Sequence, residues 1–404
     1  MRLQAVTLLA LAAALPVRAS EAWFDAVERA LTVSAFDHEF RGRLSGTLTA
    51  EGYAMSRPTP GLVFTESRWQ FTPRLALFGD AQLGRQWSGF AQMRVDRGFD
   101  PGNAALRGRL DEIAVRFTPW RDGRLTVQAG QFATVIGNWA PRHDVRDNPF
   151  INAPLPYEHL TSIYDAEAPV SAAEFVQFND AEKYEYNPII WGPSYGTGLA
   201  VAAKAGRFTF AAEVKNTGPS AHPHDWSIVH TGFEHPALAA RIGYRPDLRW
   251  SLGVSFSDSV YFLPGVARDL PAGRGRGDYR EQMLGLDLGY AWGHLQVWAE
   301  LFLVRFNVPR VGEVRTAAGY VEGKYKLTPQ LYGALRLNRQ DFSQVTTAPG
   351  RREAWARDIG RIDAATGYRF TPRIDGKVQA SAEHHRDSAR RASLNYAAQM
   401  NVRF

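Results

Sequence analysis

Cysteine is absent from the 404-residue chain, so neither a disulfide bond nor a thiolate metal site can hold it together. Beyond residue 19, no segment approaches ~18 uninterrupted apolar residues, the length of a membrane-spanning helix, so no such helix is predicted. Charges of both signs are spread along the chain, with a formal net charge of +6 and no long basic block. This balance does not indicate nucleic acid as a partner.

The first 19 residues have the pattern of a secretory signal. Arg2 precedes an apolar run over residues 6–15, and small residues precede a cleavage position after Ala19. The apolar run is too short to span a bilayer. We predict that residues 1–19 are a signal peptide and that residues 20–40 form a short N-terminal segment containing a helix.

Many segments of the chain alternate apolar and polar residues with a period of two. In the stretch RIDGKVQASAEHH, apolar or small side chains share one face and polar side chains share the other. Sixteen segments repeat this pattern, which is typical of β-strands. We place Pro73 inside one of them rather than at a turn. The predicted spans are 41–54, 70–83, 88–98, 107–117, 124–136, 196–205, 207–217, 237–245, 248–261, 279–291, 294–307, 314–327, 330–342, 357–370, 373–385 and 392–404.

The connections between these segments alternate in length. Short connections such as 84–87, 205–207 and 370–373 are followed by long ones such as 137–195. Short turns at one end and long loops at the other are typical of an outer-membrane barrel. We therefore predict an all-β fold in which residues 41–404 form a transmembrane, antiparallel, up-and-down β-barrel of about sixteen strands.

A soluble sandwich also contains alternating strands, because one face covers a core and the other meets water. The aromatic residues Tyr290, Trp292, Tyr368 and Phe370 end apolar faces, as side chains at a membrane interface do. No second layer of helices accompanies the strands, and a closed barrel satisfies every backbone group in lipid. We therefore favour a barrel surrounded by outer-membrane lipid.

The chain ends on the alternating stretch LNYAAQMNVRF. Its apolar register includes Met400, Val402 and the last residue, Phe404. This stretch resembles the C-terminal signature of Gram-negative outer-membrane proteins. The resemblance implies that Phe404 is an assembly signal read by the barrel assembly machinery, and that the last strand pairs with the first.

The strand count and one oversized loop resemble the sixteen-stranded porins of Gram-negative bacteria. The strand RLTVQAGQFATVIG resembles the corresponding strand of the porin group that includes the phosphate- and polyphosphate-selective porins. In porins the third outer loop folds back into the lumen. The resemblance therefore implies a constriction loop at about 138–192, and a long loop inside a compact fold is usually functional. It also implies a homotrimer.

The charges of this loop differ from those of a phosphate filter, which would concentrate lysine and arginine at the constriction. Residues 138–192 hold nine acids and three bases. Acids on the loop facing bases on the wall would create a transverse field, and a lumen that is simply wet and charged is the alternative. The predicted lumen-facing wall includes the acids Glu213, Glu300 and Asp363. The predicted pore-lining residues are Asp144, Asp147, Glu158, Arg43, Arg94, Arg116, Arg336, Arg361 and Lys377.

One stretch, HPHDWSIVHTGFEHP, gathers histidines and carboxylates that could hold a divalent ion, among them His222, His224 and Asp225. Its spacing matches no known metal site, and it lies in a predicted outer loop. We predict a solvated loop and no metal site.

The predicted function is that of an outer-membrane porin through which small hydrophilic solutes or ions diffuse passively, without a cofactor. A channel specific for sugars or anions is the first alternative, because aromatic residues of the loop could form a stacking track. A closed barrel acting as an adhesin or structural protein is the second. His384 and His385 lie near Asp387 and Ser388, but nothing orders them as nucleophile and base, so no enzymatic activity is predicted.

Overall fold

The structure is a computed structural model that describes residues 17–37, 39–57, 61–62, 67–96, 106–385 and 393–404. Its main sheet is a closed ring of sixteen antiparallel strands, in which each strand pairs with its neighbours in sequence and the last pairs with the first. The strands are β1 Phe40–Met55, β2 Trp69–Leu83, β3 Trp87–Asp96, β4 Arg107–Phe117, β5 Leu125–Phe132, β6 Gly196–Ala205, β7 Phe208–Lys215, β8 Ala237–Tyr244, β9 Trp250–Val260, β10 Arg280–Trp292, β11 Leu295–Val308, β12 Gly312–Lys326, β13 Leu331–Phe342, β14 Ile359–Arg369, β15 Ile374–His385 and β16 Ser393–Arg403. The predicted barrel is confirmed.

Alternation along each strand divides the barrel into an outer and an inner face. On β10, Leu284 and Leu286 are exposed on the outside, and the next residue, Asp287, is buried on the inside. The outer face is apolar, as lipid contact requires. Aromatic rings gather near the short turns: the rings of Trp250 and Tyr290 lie 4.4 Å apart, and Trp292 is exposed beside them. Across the described residues, no helix has the length and apolar character needed to cross a membrane.

Two details of the strand predictions have clear physical outcomes. Pro73 lies inside β2, opposite Ala50, so its placement within a strand is confirmed. The strand predicted to run to residue 136 ends at Phe132 instead. It ends there because Glu213 on β7 accepts hydrogen bonds from the Thr134 hydroxyl at 2.7 Å and the Val135 amide at 3.2 Å, which turn the chain away from the sheet.

The N-terminal segment lies at the end of the barrel that carries the short turns. Helix α1, Val17–Ala30, is followed by a short strand, Thr32–Ala35, that pairs with the first residues of β1. Arg373, in the turn before β15, donates hydrogen bonds to Asp25 at 2.7 Å and Glu28 at 2.8 Å. Residues 1–16 lie outside the described residues, so the signal peptide stays a prediction.

Loop 3, residues 133–195, connects β5 to β6 and packs against the inner face of the barrel. It contains the short helices Ala140–Arg142, Leu155–Tyr157, Ala172–Phe175 and Asp180–Glu185, and the paired short strands Ile163–Tyr164 and Tyr186–Asn187. Its buried side chains, including Trp139 and Tyr157, form one apolar cluster with Phe302 and Phe306 of β11. Loop 3 therefore fills the half of the lumen next to β9–β13.

A second outer connection closes over the same half of the barrel. The hairpin of strands Gln344–Ala348 and Arg351–Ala354 follows β13. Trp355, directly after it, is fully buried, and its ring stacks on Phe175 of loop 3 at 5.8 Å. The outer connections thus pack on one another as well as on the wall. The remaining short helices in the outer connections are Pro223–Trp226, Pro264–Arg268 and Arg276–Asp278.

Candidate pore constriction

Loop 3 crosses the lumen and is fixed to the wall by a carboxylate on β11. Glu300 accepts a hydrogen bond of 2.7 Å from the Tyr157 hydroxyl and one of 3.2 Å from the Trp139 amide. The Asn138 amide also donates to it. Three donors of loop 3 converge on this one buried carboxyl group, which satisfies it and fixes the loop to the wall. This carboxylate was predicted to line the lumen, and the structure places it under the loop instead.

A second attachment lies on β14, opposite β6 in the ring of sixteen strands. Arg361 forms an ion pair with Glu158 of loop 3 and another, at 3.1 Å, with Asp363 on its own strand. Arg336 of β13 binds Asp363 at 2.9 Å and the Asn152 side chain of the loop at 2.7 Å. Arg336 is 0% exposed and Arg361 is 1% exposed. Buried charges of this kind persist because each has an opposite partner and further hydrogen bonds.

The third attachment is made by β15. The Lys377 ammonium donates hydrogen bonds to the carbonyl oxygens of Val145 and, at 2.6 Å, Asn148. The Gln379 side-chain oxygen accepts one of 2.7 Å from the Ile151 amide. Because these loop backbone groups lack partners in secondary structure, the wall side chains satisfy them. Loop 3 is therefore bonded to β11 and to three successive strands, β13, β14 and β15.

The space left open lies between loop 3 and the first three strands. It is a cavity of about 160 Å³. The polar side chains that the wall contributes to its lining include Thr47, Thr49, Glu51, Arg74, Arg94 and Asp96. The loop contributes His143, Asp144, Asn148, Asn152 and Glu158. Charged side chains therefore reach this cavity from both the wall and the loop.

A ladder of alternating charges follows the wall of this cavity from β1 to β4. Arg74 lies 3.2 Å from Glu51 and 3.2 Å from Asp96, and Arg94 lies 3.0 Å from Asp111. The Arg74 side chain is 23% exposed and the Arg94 side chain is 12% exposed. Each guanidinium is thus held in place by acids and still reaches the cavity.

The predicted pore-lining residues separate into three groups. Arg94, Asp144 and Glu158 line the cavity, with Asp144 and Glu158 on the loop and Arg94 on the wall. Arg336, Arg361 and Lys377 face inward but are buried as attachments of loop 3. The third group lies elsewhere: Arg43 pairs with Glu28 at 2.8 Å, the Arg116 guanidinium lies 4.0 Å from the Phe90 ring centroid, and Asp147 is exposed beside Arg146 at 3.7 Å.

Several charged residues that face inward were missed by the sequence reasoning. Arg74 shares the register of the predicted lumen residue Asp80, and Glu51 shares that of Arg43, so strict alternation could have found both. Arg109 and Asp111 could not be found in that way. A β-bulge opposite the Gln92–Met93 step shifts the register of β4, so residues on both sides of the bulge face inward.

Five of the aromatic side chains of loop 3 contribute to packing, whereas Tyr164, Phe178, Tyr184 and Tyr186 are partly exposed. Trp139, Phe150, Tyr157, Phe175 and Trp191 are all buried. A stacking track for sugars needs ring faces that are open to the solute, and five buried rings offer little such surface, so the sugar track stays a prediction. Of the residues considered and set aside as an enzymatic group, His385 is buried, and Asp387 and Ser388 lie outside the described residues. The absence of enzymatic activity therefore stays a prediction.

No protein-family model matches the chain, and no curated protein matches it in sequence. Solved structures do match it. The outer-membrane channel DcaP of Acinetobacter baumannii has a TM-score of 0.59 and 12% identity, over 92% of this chain and 100% of its own. The anion-selective porin from Comamonas acidovorans has a TM-score of 0.57 and 11% identity, over 91% of this chain and 100% of its own. Salmonella typhi OmpF, solved in complex with daunomycin, has a TM-score of 0.56 and 12% identity, over 92% of this chain and 100% of its own.

These similar structures are porins and channels, and their match extends over nearly the whole barrel. The chain has a closed ring of sixteen strands, an apolar outer face and a hydrophilic cavity beside a long third loop. This chain therefore has the fold of the sixteen-stranded outer-membrane porins.

Proposed function

We propose that this chain is an outer-membrane porin through which small hydrophilic solutes and ions diffuse passively. The observation that carries the proposal is the charged cavity between the β1–β3 wall and loop 3, inside a barrel with an apolar exterior. If the barrel had only a structural role, we would expect side chains or loops to fill this side of the lumen, as loop 3 fills the side next to β9–β13. Size and charge of the opening, rather than a bound ligand, then select what passes.

The charges of the cavity support a weak preference for cations. Two arginines, Arg74 and Arg94, line it together with the four acids Glu51, Asp96, Asp144 and Glu158. Because the arginines lie on the wall and two of the acids lie on the loop, a transverse field also acts across the opening. Such a field favours small polar solutes over apolar ones, since it orders the water that an apolar solute would displace.

An anion-specific channel is the second candidate. The row of Arg74, Arg94 and Arg109 along the wall favours it, because guanidinium groups bind oxyanions with two parallel hydrogen bonds. Each of these arginines already forms an ion pair with an acid on the wall, so a bound oxyanion would have to displace that acid. Passive diffusion needs no such rearrangement of the site.

Outer-membrane location and assembly follow from the same proposal. The similar structures include outer-membrane channels and porins, which supports insertion in that membrane, with Phe404 as the assembly signal. A homotrimer is likewise carried over from the porins as part of the proposal.

Reconstitution into planar lipid bilayers tests the function. We expect stepwise current increases, each from one insertion, and a reversal potential in a salt gradient that indicates a modest cation preference. Protein denatured before addition is the control and should give no steps. A folded preparation that gives no steps would contradict the proposal and leave the adhesin or structural alternative. A reversal potential of the opposite sign, with current block by phosphate, would favour the anion-specific channel.

A further inference from the structure

The loop between β7 and β8, residues 216–236, packs on loop 3 instead of standing free in solvent. His222 is 9% exposed and Asp225 is 4% exposed, so the prediction of a solvated stretch is wrong for these two residues. The cause is Trp226, which is fully buried in an apolar cluster with Trp191 and Tyr195 of loop 3. That packing draws the preceding residues inward.

The buried side chains bring three ligand-type groups from two loops together. Asp165 of loop 3 lies 2.8 Å from His222, measured from Oδ2 to Nδ1. One ligand atom from each of Asp165, His222 and Asp225 lies within 4.8 Å of the other two. The Asn187 side chain also reaches this cluster, with Nδ2 at 2.9 Å from the same Asp165 oxygen.

The orientation of the imidazole leaves its Nδ1 lone pair directed at a carboxylate. His222 Nε2 lies 3.2 Å from the carbonyl oxygen of Tyr184, which can only accept a hydrogen bond. Nε2 therefore carries the proton in the neutral ring, and Nδ1 is an acceptor. The Asn187 amide lies beside both acceptors, with Nδ2 at 3.3 Å from His222 Nδ1 and 2.9 Å from the Asp165 oxygen. A proton or a metal ion between the two acceptors, which are 2.8 Å apart, offsets their repulsion more directly. A backbone carbonyl holding the other nitrogen is also the usual support of a metal-binding histidine.

A proton shared by Asp165 and His222 would satisfy only part of the cluster. Among the described residues, Asp225 Oδ2 and Asn187 Oδ1 are buried without any hydrogen-bond partner. Orphaned oxygens of this kind are rare in buried sites and often mark an ion or water that is missing from the site. A cation would offer both a positive charge and a partner for the Asp225 oxygen.

We propose that Asp165, His222 and Asp225 form a site for one divalent transition-metal ion, of the Zn²⁺ type. Imidazole nitrogen combined with carboxylate oxygen suits Zn²⁺ and similar ions, whereas Ca²⁺ and Mg²⁺ prefer oxygen alone. The ion would join loop 3 to the next outer loop. The proposal does not depend on channel function, because none of the three residues lines the cavity described above.

Metal titration of the untagged, full-length protein in detergent tests the site. After removal of metal with EDTA, ZnCl₂ is added and binding is followed by calorimetry. We expect about one Zn²⁺ per chain, and a loss of affinity of tenfold or more in His222→Ala and Asp225→Asn. His230→Ala is the matched control, because His230 lies in the same loop but is exposed, and its binding should equal that of the wild type. CoCl₂ gives a second readout, since visible absorption from bound Co²⁺ should disappear in His222→Ala.

Folding has to be checked so that loss of binding is not loss of structure. Asp225→Asn keeps the shape of the side chain, and the circular dichroism and bilayer conductance of all variants should match the wild type. The proposal is overturned if Zn²⁺ does not bind, in which case the cluster is a buried Asp–His ion pair. Equal affinity in wild type and His222→Ala, or binding of Ca²⁺ in place of Zn²⁺, would overturn it as well.

Discussion

The phenol of Tyr157 donates a hydrogen bond of 2.7 Å to the carboxylate of Glu300, which lies 143 positions later in the sequence. The two residues belong to loop 3 and to β11, and both are buried. The same carboxylate accepts hydrogen bonds from the amides of Asn138 and Trp139. One acid on the wall thus holds two separate stretches of the loop, which fixes how far the loop extends into the lumen.

Removing the Tyr157 hydroxyl should weaken this attachment. In Tyr157→Phe the ring still packs on Phe302, at 5.9 Å, but Glu300 loses one of its three donors. Depriving a buried hydrogen-bonding group of its partner costs about 1–3 kcal/mol, so we expect the free energy of unfolding to fall by about that amount. Guanidinium unfolding in detergent measures it. Tyr164→Phe is the control: its hydroxyl lies 3.4 Å from the exposed Glu185, and its effect should stay within about 0.5 kcal/mol. Equal effects of the two substitutions would contradict the assignment.

Removing the Arg361 charge should release the loop from β14. Arg361→Met retains much of the volume but leaves the buried Glu158 without its arginine partner. Breaking a buried pair in this way costs about 3–5 kcal/mol. We expect an unfolding free energy lower by that amount and larger, noisier current steps in bilayers, because the displaced loop no longer narrows the opening.

The matched control for this substitution is Arg339→Met on the neighbouring strand. Arg339 pairs with Asp341 on the surface and is 46% exposed, so its loss should cost about 0–1 kcal/mol and leave the current steps unchanged. If Arg361→Met also leaves both unchanged, the buried ion pairs do not hold the loop.

The Asp144 carboxylate should contribute to ion selectivity. In Asp144→Asn the side chain can still accept the hydrogen bond from the Arg146 amide at 2.9 Å, so the local turn is retained while the charge is lost. We expect the reversal potential at about 0.1 M salt, where the screening length is about 10 Å, to shift toward anions. Asp147→Asn removes a charge three residues away that is not among the cavity lining, and should shift it less. A larger shift for Asp147→Asn would mean that the ions follow another path.

The barrel seam depends on a close contact between Phe404 and Gly46. Their backbones exchange hydrogen bonds of 2.9 and 3.0 Å, and the Phe404 ring covers the glycine so closely that an added Cβ would lie 2.8 Å from the ring atom Cε2. Gly46→Val should displace the ring and reduce the fraction of protein that folds in detergent. The folded fraction is measured by the migration of unheated samples in gel electrophoresis. Gly52→Ala on the same strand, with nothing within 4 Å, is the control.

A double substitution makes this last prediction sharper. If the Gly46 effect acts through the aromatic ring, then adding Gly46→Val to Phe404→Ala should cause little further loss, because interacting residues are not additive. Independent, additive losses would show that the two residues are not coupled at the seam.

Strand number and strand position could be predicted because both are local properties. A period of two, interrupted by turn residues, marks each strand wherever it lies in the barrel. The β4 bulge shows where this reasoning fails: one extra residue at Asp111 reverses the alternation, and only pairing with β3 reveals it. The inward positions of Arg109 and Asp111 could therefore not be read from spacing.

The roles of the inward charges could not be predicted, since they depend on which surface the loop covers. Alternation alone assigns Arg94 and Arg361 to the lumen, and both do face inward. One lines the open cavity and the other lies beneath loop 3, because the loop docks on β9–β15 and leaves β1–β3 uncovered.

By itself, the sequence determined that this chain forms alternating strands in a number, order and connectivity that close into a barrel with an apolar exterior. That information is local, because it resides in the side-chain period and in the turns between strands. The tertiary structure alone decided which charges are exposed to the lumen, which hold loop 3, and which histidine contacts an acid of loop 3. Those outcomes depend on contacts between residues that are distant in the sequence, such as Tyr157 and Glu300, 143 positions apart, and no local pattern encodes such contacts.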